Sequence, residues 1–232
     1  MYPCQVAMNT EYQTPVALPH LGVEVISDIG QGRVFLIIVD DLNYIALAHE
    51  IALQLSQRAR VITLLSAAVT ATSWEPLSEI LSELVAKLAI RQASLVGLGA
   101  GATLAQNLVL VNPKLVRTLV VIDSSSRPHP SRWERLVDRI EGKLPFGLPL
   151  RLGLQGFNVK SYLHRLRCPL LVIGTQRASS FILSELQSLA SLAPTAWQVT
   201  VSDKDSQTEA AALTATILAF QDTPAKCPQK NI

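Results

Sequence analysis

The run Leu95-Val-Gly-Leu-Gly-Ala-Gly-Ala-Thr-Leu-Ala-Gln106 sets alternating glycines, Gly97, Gly99 and Gly101, between a short apolar stretch and the start of a helical pattern. A strand that turns this sharply into a helix is a place where enzymes present a nucleophile. The apex residue takes a strained backbone, its hydroxyl or thiol stands clear of the sheet, and small residues on either side allow the close approach. Here the apex is Gly99, which has no side chain to attack with. Glycine also takes a positive φ at no cost, so the corner can keep its shape without that chemistry.

Other groups could do chemistry nearby. Gly97, Gly99 and Ala102 also satisfy a dinucleotide fingerprint, with Asp123 standing 26 positions beyond Gly97, about where a ribose-binding carboxylate belongs. That fingerprint usually opens its domain, whereas two strand–helix units precede this one. Asp40 and Asp41 could join Asp123 around a metal, but no third-ligand motif accompanies them, and a turn with a helix cap explains both. Cys4, Cys168 and Cys227 are odd in number and scattered, which fits a reducing compartment and neither a disulfide framework nor a zinc site. Cys168 precedes a proline at a strand start and reads as a small packed residue. His49 and His164 fall in helical patterns, where surface or packing roles are the plainer reading. The expectation is no metal and no cofactor.

The elements that would position these residues can be read from periodicity. The chain has 232 residues, 49% of them hydrophobic and 16% charged, with a formal net charge of +2 and a mean hydropathy of +0.30. That is apolar for a soluble domain and fits either a sheet buried on both faces or a surface that docks onto something; the charge argues neither for nor against nucleic acid, and none is expected. Strands are expected over 23–27, 33–39, 60–66, 94–98, 116–123, 169–174 and 197–202, with 28–32 as a turn. Helices are expected over 44–57 (after Asp40, Asp41 and Asn43), 76–90, 102–112, 179–192 and 208–220. This alternation predicts an α/β fold, a doubly wound, mostly parallel sheet with helices on both faces. The charge-free stretch from Gln92 to Pro113 is long enough for a membrane span, but its central glycines and its amides fit strand, turn and helix. Residues 1–20 read as an extended arm, without the basic start and apolar core of a secretory signal, and 222–232 as a disordered tail.

The segment from Leu95 to Asp123, with Asn112-Pro113 after the helix and a strand ending in Asp123, resembles the central portion of the α/β-hydrolase superfamily around its nucleophile elbow, G-x-S-x-G. Leu163 to Gln176 is similar to that family's strand before the acid loop, and the likeness spans about residues 22–221. The resemblance implies a hydrolase-like core over 21–123 and 168–221, with 124–167 inserted as a short lid. It also locates the catalytic groups. The nucleophile position falls on Gly99, and the acid position on Arg177 or, at the end of the preceding strand, on Asp123. The base should be a histidine after the last strand. No histidine follows His164, and Lys204 stands near that place. The family's His-Gly oxyanion loop would follow 33–39, where the chain has Asp40 and Asp41. Two carboxylates there would repel an oxyanion.

These departures lead to the expectation of a pseudoenzyme, a non-catalytic α/β-hydrolase-fold protein that binds. A small apolar ligand would sit against Asp40, Leu98, Gly99, Ala100 and Asp123. A protein partner, or an anionic membrane surface, would meet the inserted segment, which holds nine basic residues against three acidic ones. Arg132, Trp133, Arg135, Arg139 and Arg151 are the contacts expected there. The plainer reading of that segment is a lid whose leucines cover the old pocket while its arginines face water. Two alternatives remain open: an ester or thioester hydrolase using Lys204 with Asp123 or Asp40, and a dinucleotide binder. The expected location is the cytoplasm, with peripheral membrane contact as an option.

Overall fold

The computed structural model describes residues 17–18, 23–39, 42–66, 83–124, 159–202 and 206–222. The strands β1 (Ala17–Leu18), β2 (Val23–Ile29), β3 (Val34–Val39), β4 (Arg60–Ser66), β5 (Ala93–Leu98), β6 (Val116–Ile122), β7 (Leu170–Gly174) and β8 (Ala196–Thr200) form one sheet. Its order is β1-β2-β4-β3-β5-β6-β7-β8. Neighbours from β4 through to β8 are parallel, whereas β1–β2 and β2–β4 are antiparallel.

The central strands are mostly apolar because both sheet faces are covered. On β3, Phe35, Ile37 and Val39 face one side while Leu36 and Ile38 face the other. The first side packs against α1 (Leu42–Ser56) and α4 (Ser206–Asp222) through Ile51, Leu55, Leu213 and Ile217. The second packs against α2 (Gly101–Val111), α3 (Ser180–Leu192) and a helical stretch over 83–88, through Leu84, Leu104, Leu108, Leu186 and Leu189. Removing each such side chain from water contributes about 1.5–3 kcal/mol, and the period of two along the strands divides the residues between the two cores.

Three sequence expectations are corrected. The first predicted strand does not stop at residue 27: β2 continues through Ile29 after a register shift between Val25 and Ser27. Arg60 holds Asp28 there with two charge-assisted bonds, Nε to Oδ1 at 2.9 Å and Nη2 to Oδ2 at 2.6 Å, and caps Leu88 O with Nη1 at 3.2 Å. Propensity alone reads Asp28 as a turn residue; a partner 32 positions away overrides it. Within the expected N-terminal arm, Ala17 and Leu18 pair with Glu24 and Val23. Asn43, read as a cap residue, lies inside α1.

The charge-free stretch 92–113 resolves as β5, the corner and α2, and among the described residues no helix is long and apolar enough to cross a membrane. Of the segment read as a lid, residues 125–158 lie outside the described residues. Its last part is a 3-10 helix, Val159–Arg165. Leu163 and Leu166 there are buried in the core beside α2 and α3. The tail 223–232 and the first part of the predicted helix 76–90, residues 76–82, are likewise outside the described residues.

Candidate functional site

The corner after β5 forms as the glycine spacing requires. Gly99 has φ +58°. Its N–H donates to Ile122 O on β6 at 3.0 Å, and its carbonyl accepts from Ala102 N–H at 3.3 Å as α2 begins. A Cβ on Gly97 would lie 2.2 Å from Ala102 Cα, and one on Gly101 would lie 2.5 Å from Ile38 O. Both are close approaches to backbone, so strand and helix cross too tightly for any side chain at either position. Ala100 occupies the N-cap of α2 in αR geometry, without a side-chain cap.

Topology sets this corner at a reversal of strand order. From β3 the chain goes to β4 on one side and later to β5 on the other. The strand order therefore reverses between β3 and β5, and the carboxyl ends of those two strands border the switch point where open α/β sheets hold ligands. Gly99 and Ala100 follow β5 directly. Asp40 follows β3 and lies, with Asp41, outside the described residues. Leu98 is fully buried on the α1/α4 side of the sheet and supports the corner from within the core.

Asp123 directly follows β6, one strand over from Gly99, and also has positive φ, +48°. An aspartate tolerates that left-handed conformation better than most residues. The residue is 2% exposed. Oδ1 accepts from Thr175 N–H at 2.7 Å, and Oδ2 is 2.5 Å from the Thr175 hydroxyl. The Thr175 hydroxyl oxygen in turn accepts from Arg177 N–H at 3.1 Å. Burial pushes the Asp123 carboxyl above the usual carboxylate range, and the charge of Glu209 adds to that; the Thr175 bonds and Arg177 pull the other way.

Arg177, at the acid position implied by the resemblance, reaches across to α4, where its Nη2 lies 2.8 Å from Glu209 Oε2. The Glu209 side chain is buried and that of Arg177 partly exposed. Sequence reasoning missed both Thr175 and Glu209. Glu209 could have been found: it stands on the i, i+4, i+8 stripe with Leu213 and Ile217, the buried face of α4. Thr175 had no such signal, because its role exists only once β6 and β7 are adjacent.

The structure thus brings Gly99, Ala100, Asp123 and Arg177 to the carboxyl edge of the sheet. Lys204 and the expected partner contacts Arg132, Trp133, Arg135, Arg139 and Arg151 lie outside the described residues. His49 and His164 are exposed. Cys168 is buried in the core, which pushes its thiol up to about 11 and leaves it protonated near neutrality. Among the described residues no group of three His, Cys, Asp or Glu side chains could hold a metal ion.

No protein-family model matches the chain, and no curated protein matches it by sequence. Solved structures do. The enol-lactonase from Burkholderia xenovorans LB400 is 15% identical, with a TM-score of 0.65 over 87% of this chain and 98% of its own. A thermophilic esterase from Thermogutta terrifontis is 17% identical, with a TM-score of 0.64 over 90% of this chain and 96% of its own. Naproxen esterase from Bacillus subtilis is 12% identical, with a TM-score of 0.61 over 86% of this chain and 87% of its own. With the parallel order β4-β3-β5-β6-β7-β8, the tight corner at Gly99 and this coverage, the chain has the α/β-hydrolase fold.

Proposed function

We propose that this protein is a degenerate hydrolase-fold member that acts by binding, with a small apolar ligand held in the crevice between the ends of β3 and β5. The observation that carries the reading is Gly99. The corner keeps the backbone geometry that serves to display a nucleophile, and the displayed residue has no side chain. Two further facts support it. The turn between β8 and α4 reads Val-Ser-Asp-Lys-Asp and contains no histidine to act as base. Arg177 is engaged with Glu209 where the resemblance would have an acid orient that base.

A second reading rests on a different observation, the basic balance of residues 124–167: the inserted segment meets an acidic protein partner. Native mass spectrometry of the gently purified full chain separates the two. The ligand reading predicts an adduct that survives in an Arg132→Gln, Arg135→Gln, Arg139→Gln variant and is lost in Gly99→Phe, where the new ring occupies the crevice. A co-purifying protein lost only in the arginine variant would replace it with the partner reading. Ester or thioester turnover abolished by Lys204→Ala would overturn both.

A further inference from the structure

At the carboxyl edge of the sheet, two buried carboxyl groups, Asp123 and Glu209, face a single cation, Arg177. They fasten three segments together: the end of β6, the turn after β7, and the first turn of α4. Among the described residues Glu209 on α4 and Arg177 in the turn after β7 are the charged groups that act on Asp123. The residues next to it on β5, β6 and the corner, Leu98, Gly99, Ala100 and Ile122, carry no charge. Asp40, Asp41, Asp203, Lys204 and Asp205 belong to turns outside the described residues.

With every group ionised, this buried cluster holds one negative charge more than it holds positive. Taking up a proton at Asp123 removes that excess, and the bond between Oδ2 and the Thr175 hydroxyl can reverse its direction. A hydroxyl both donates and accepts. The Thr175 hydroxyl can therefore accept from a protonated Oδ2 as well as donate to an ionised one, while Oδ1 goes on accepting from Thr175 N–H. The hydrogen-bond geometry is compatible with either state, and the charge balance favours the protonated one.

We propose that Asp123, Thr175, Arg177 and Glu209 form a proton-linked latch that is tightest with Asp123 protonated and loosens as Asp123 ionises, freeing the turn after β7 and the first turn of α4. The raised carboxyl of Asp123 fixes the sign: the latch is fully closed in acid and is lost as pH rises through a value above the usual carboxylate range. The device lies on the β6 side of the strand-order reversal, and it stands whether or not a ligand binds there.

Hydrogen exchange on the full chain tests it, with rates corrected for the intrinsic pH dependence of exchange. The amides of Thr175, Arg177 and Val201 report the latch, since they donate to Asp123 Oδ1, Thr175 Oγ1 and Gly174 O. As pH rises from about 4 to about 8 their protection should fall severalfold, by a factor of about ten for each unit by which the folded Asp123 carboxyl ionises above its unfolded value. Asp123→Asn keeps an acceptor for Thr175 N–H and cannot ionise, so its protection should be flat across that range. Glu209→Gln removes the second carboxylate and should shrink the fall even if Asp123→Asn does not fold. Protection that is flat in the native chain, that rises with pH, or that falls equally in either variant overturns the latch.

Discussion

Gly97 and Gly101 are fixed by contact rather than by conformational freedom. Each faces backbone at a distance where no Cβ fits, 2.2 Å to Ala102 Cα and 2.5 Å to Ile38 O. Gly97→Ala should therefore destabilise the protein by about 3 kcal/mol, since it forces strand and helix apart. A shift in the urea unfolding midpoint measures this, and an unchanged midpoint would mean that the corner is looser than described. Asp123 has a different signature. Its folded-state carboxyl ionises above its unfolded value because burial disfavours the charge. The folded state thus keeps a proton over a range where the unfolded chain has lost it, and stability falls as pH rises through that range. Asp123→Asn should erase the fall, so its stability relative to the native chain is higher near pH 8 than near pH 4 in paired urea titrations. Arg177→Gln would leave the Glu209 side chain, 4% exposed, without its cation. The expected loss is on the order of 2 kcal/mol, below the range for fully buried pairs because Arg177 is 42% exposed.

At the scale of elements, α2 is buried from Gly101 through Val109. Gln106 on it is 0% exposed, and among the described residues neither its amide nitrogen nor its amide oxygen finds a hydrogen-bond partner. A buried amide without partners is expensive. Gln106→Leu should raise stability by about 1–2 kcal/mol in thermal or urea unfolding, whereas a loss would show that the amide has a partner in solution. The elements themselves were largely legible from the sequence. The glycine corner, the continuous apolar runs and the alternation of strand with helix are local signals, and β4, β7, α2 and α3 fall within a residue or so of the periodicity. What was illegible depends on pairing across the chain. β1 is two residues long and becomes a strand only by lying antiparallel to β2. Asp28 stays in its strand because of Arg60. The candidate site divides the same way. Gly99, Asp123 and Arg177 could be named from motif position, but the Asp123–Thr175 and Arg177–Glu209 bonds needed the order β6-β7-β8 and the docking of α4.

For the whole molecule, the sheet, both helix layers and the strand-order reversal all persist around a corner that has nothing to attack with. A scaffold of this kind needs a hydroxyl or thiol, a base and an oxyanion site to cleave an ester, and restoring one group alone does not restore the rest. Gly99→Ser would put a hydroxyl back at the apex without any histidine between β8 and α4 to take its proton. The most direct test is therefore the initial rate of p-nitrophenyl butyrate cleavage by the native chain, Lys204→Ala and Gly99→Ser, each against buffer. The binding account predicts rates at the uncatalysed background for all three. Turnover by the native chain that disappears in Lys204→Ala would contradict it and establish an enzyme with an unorthodox base.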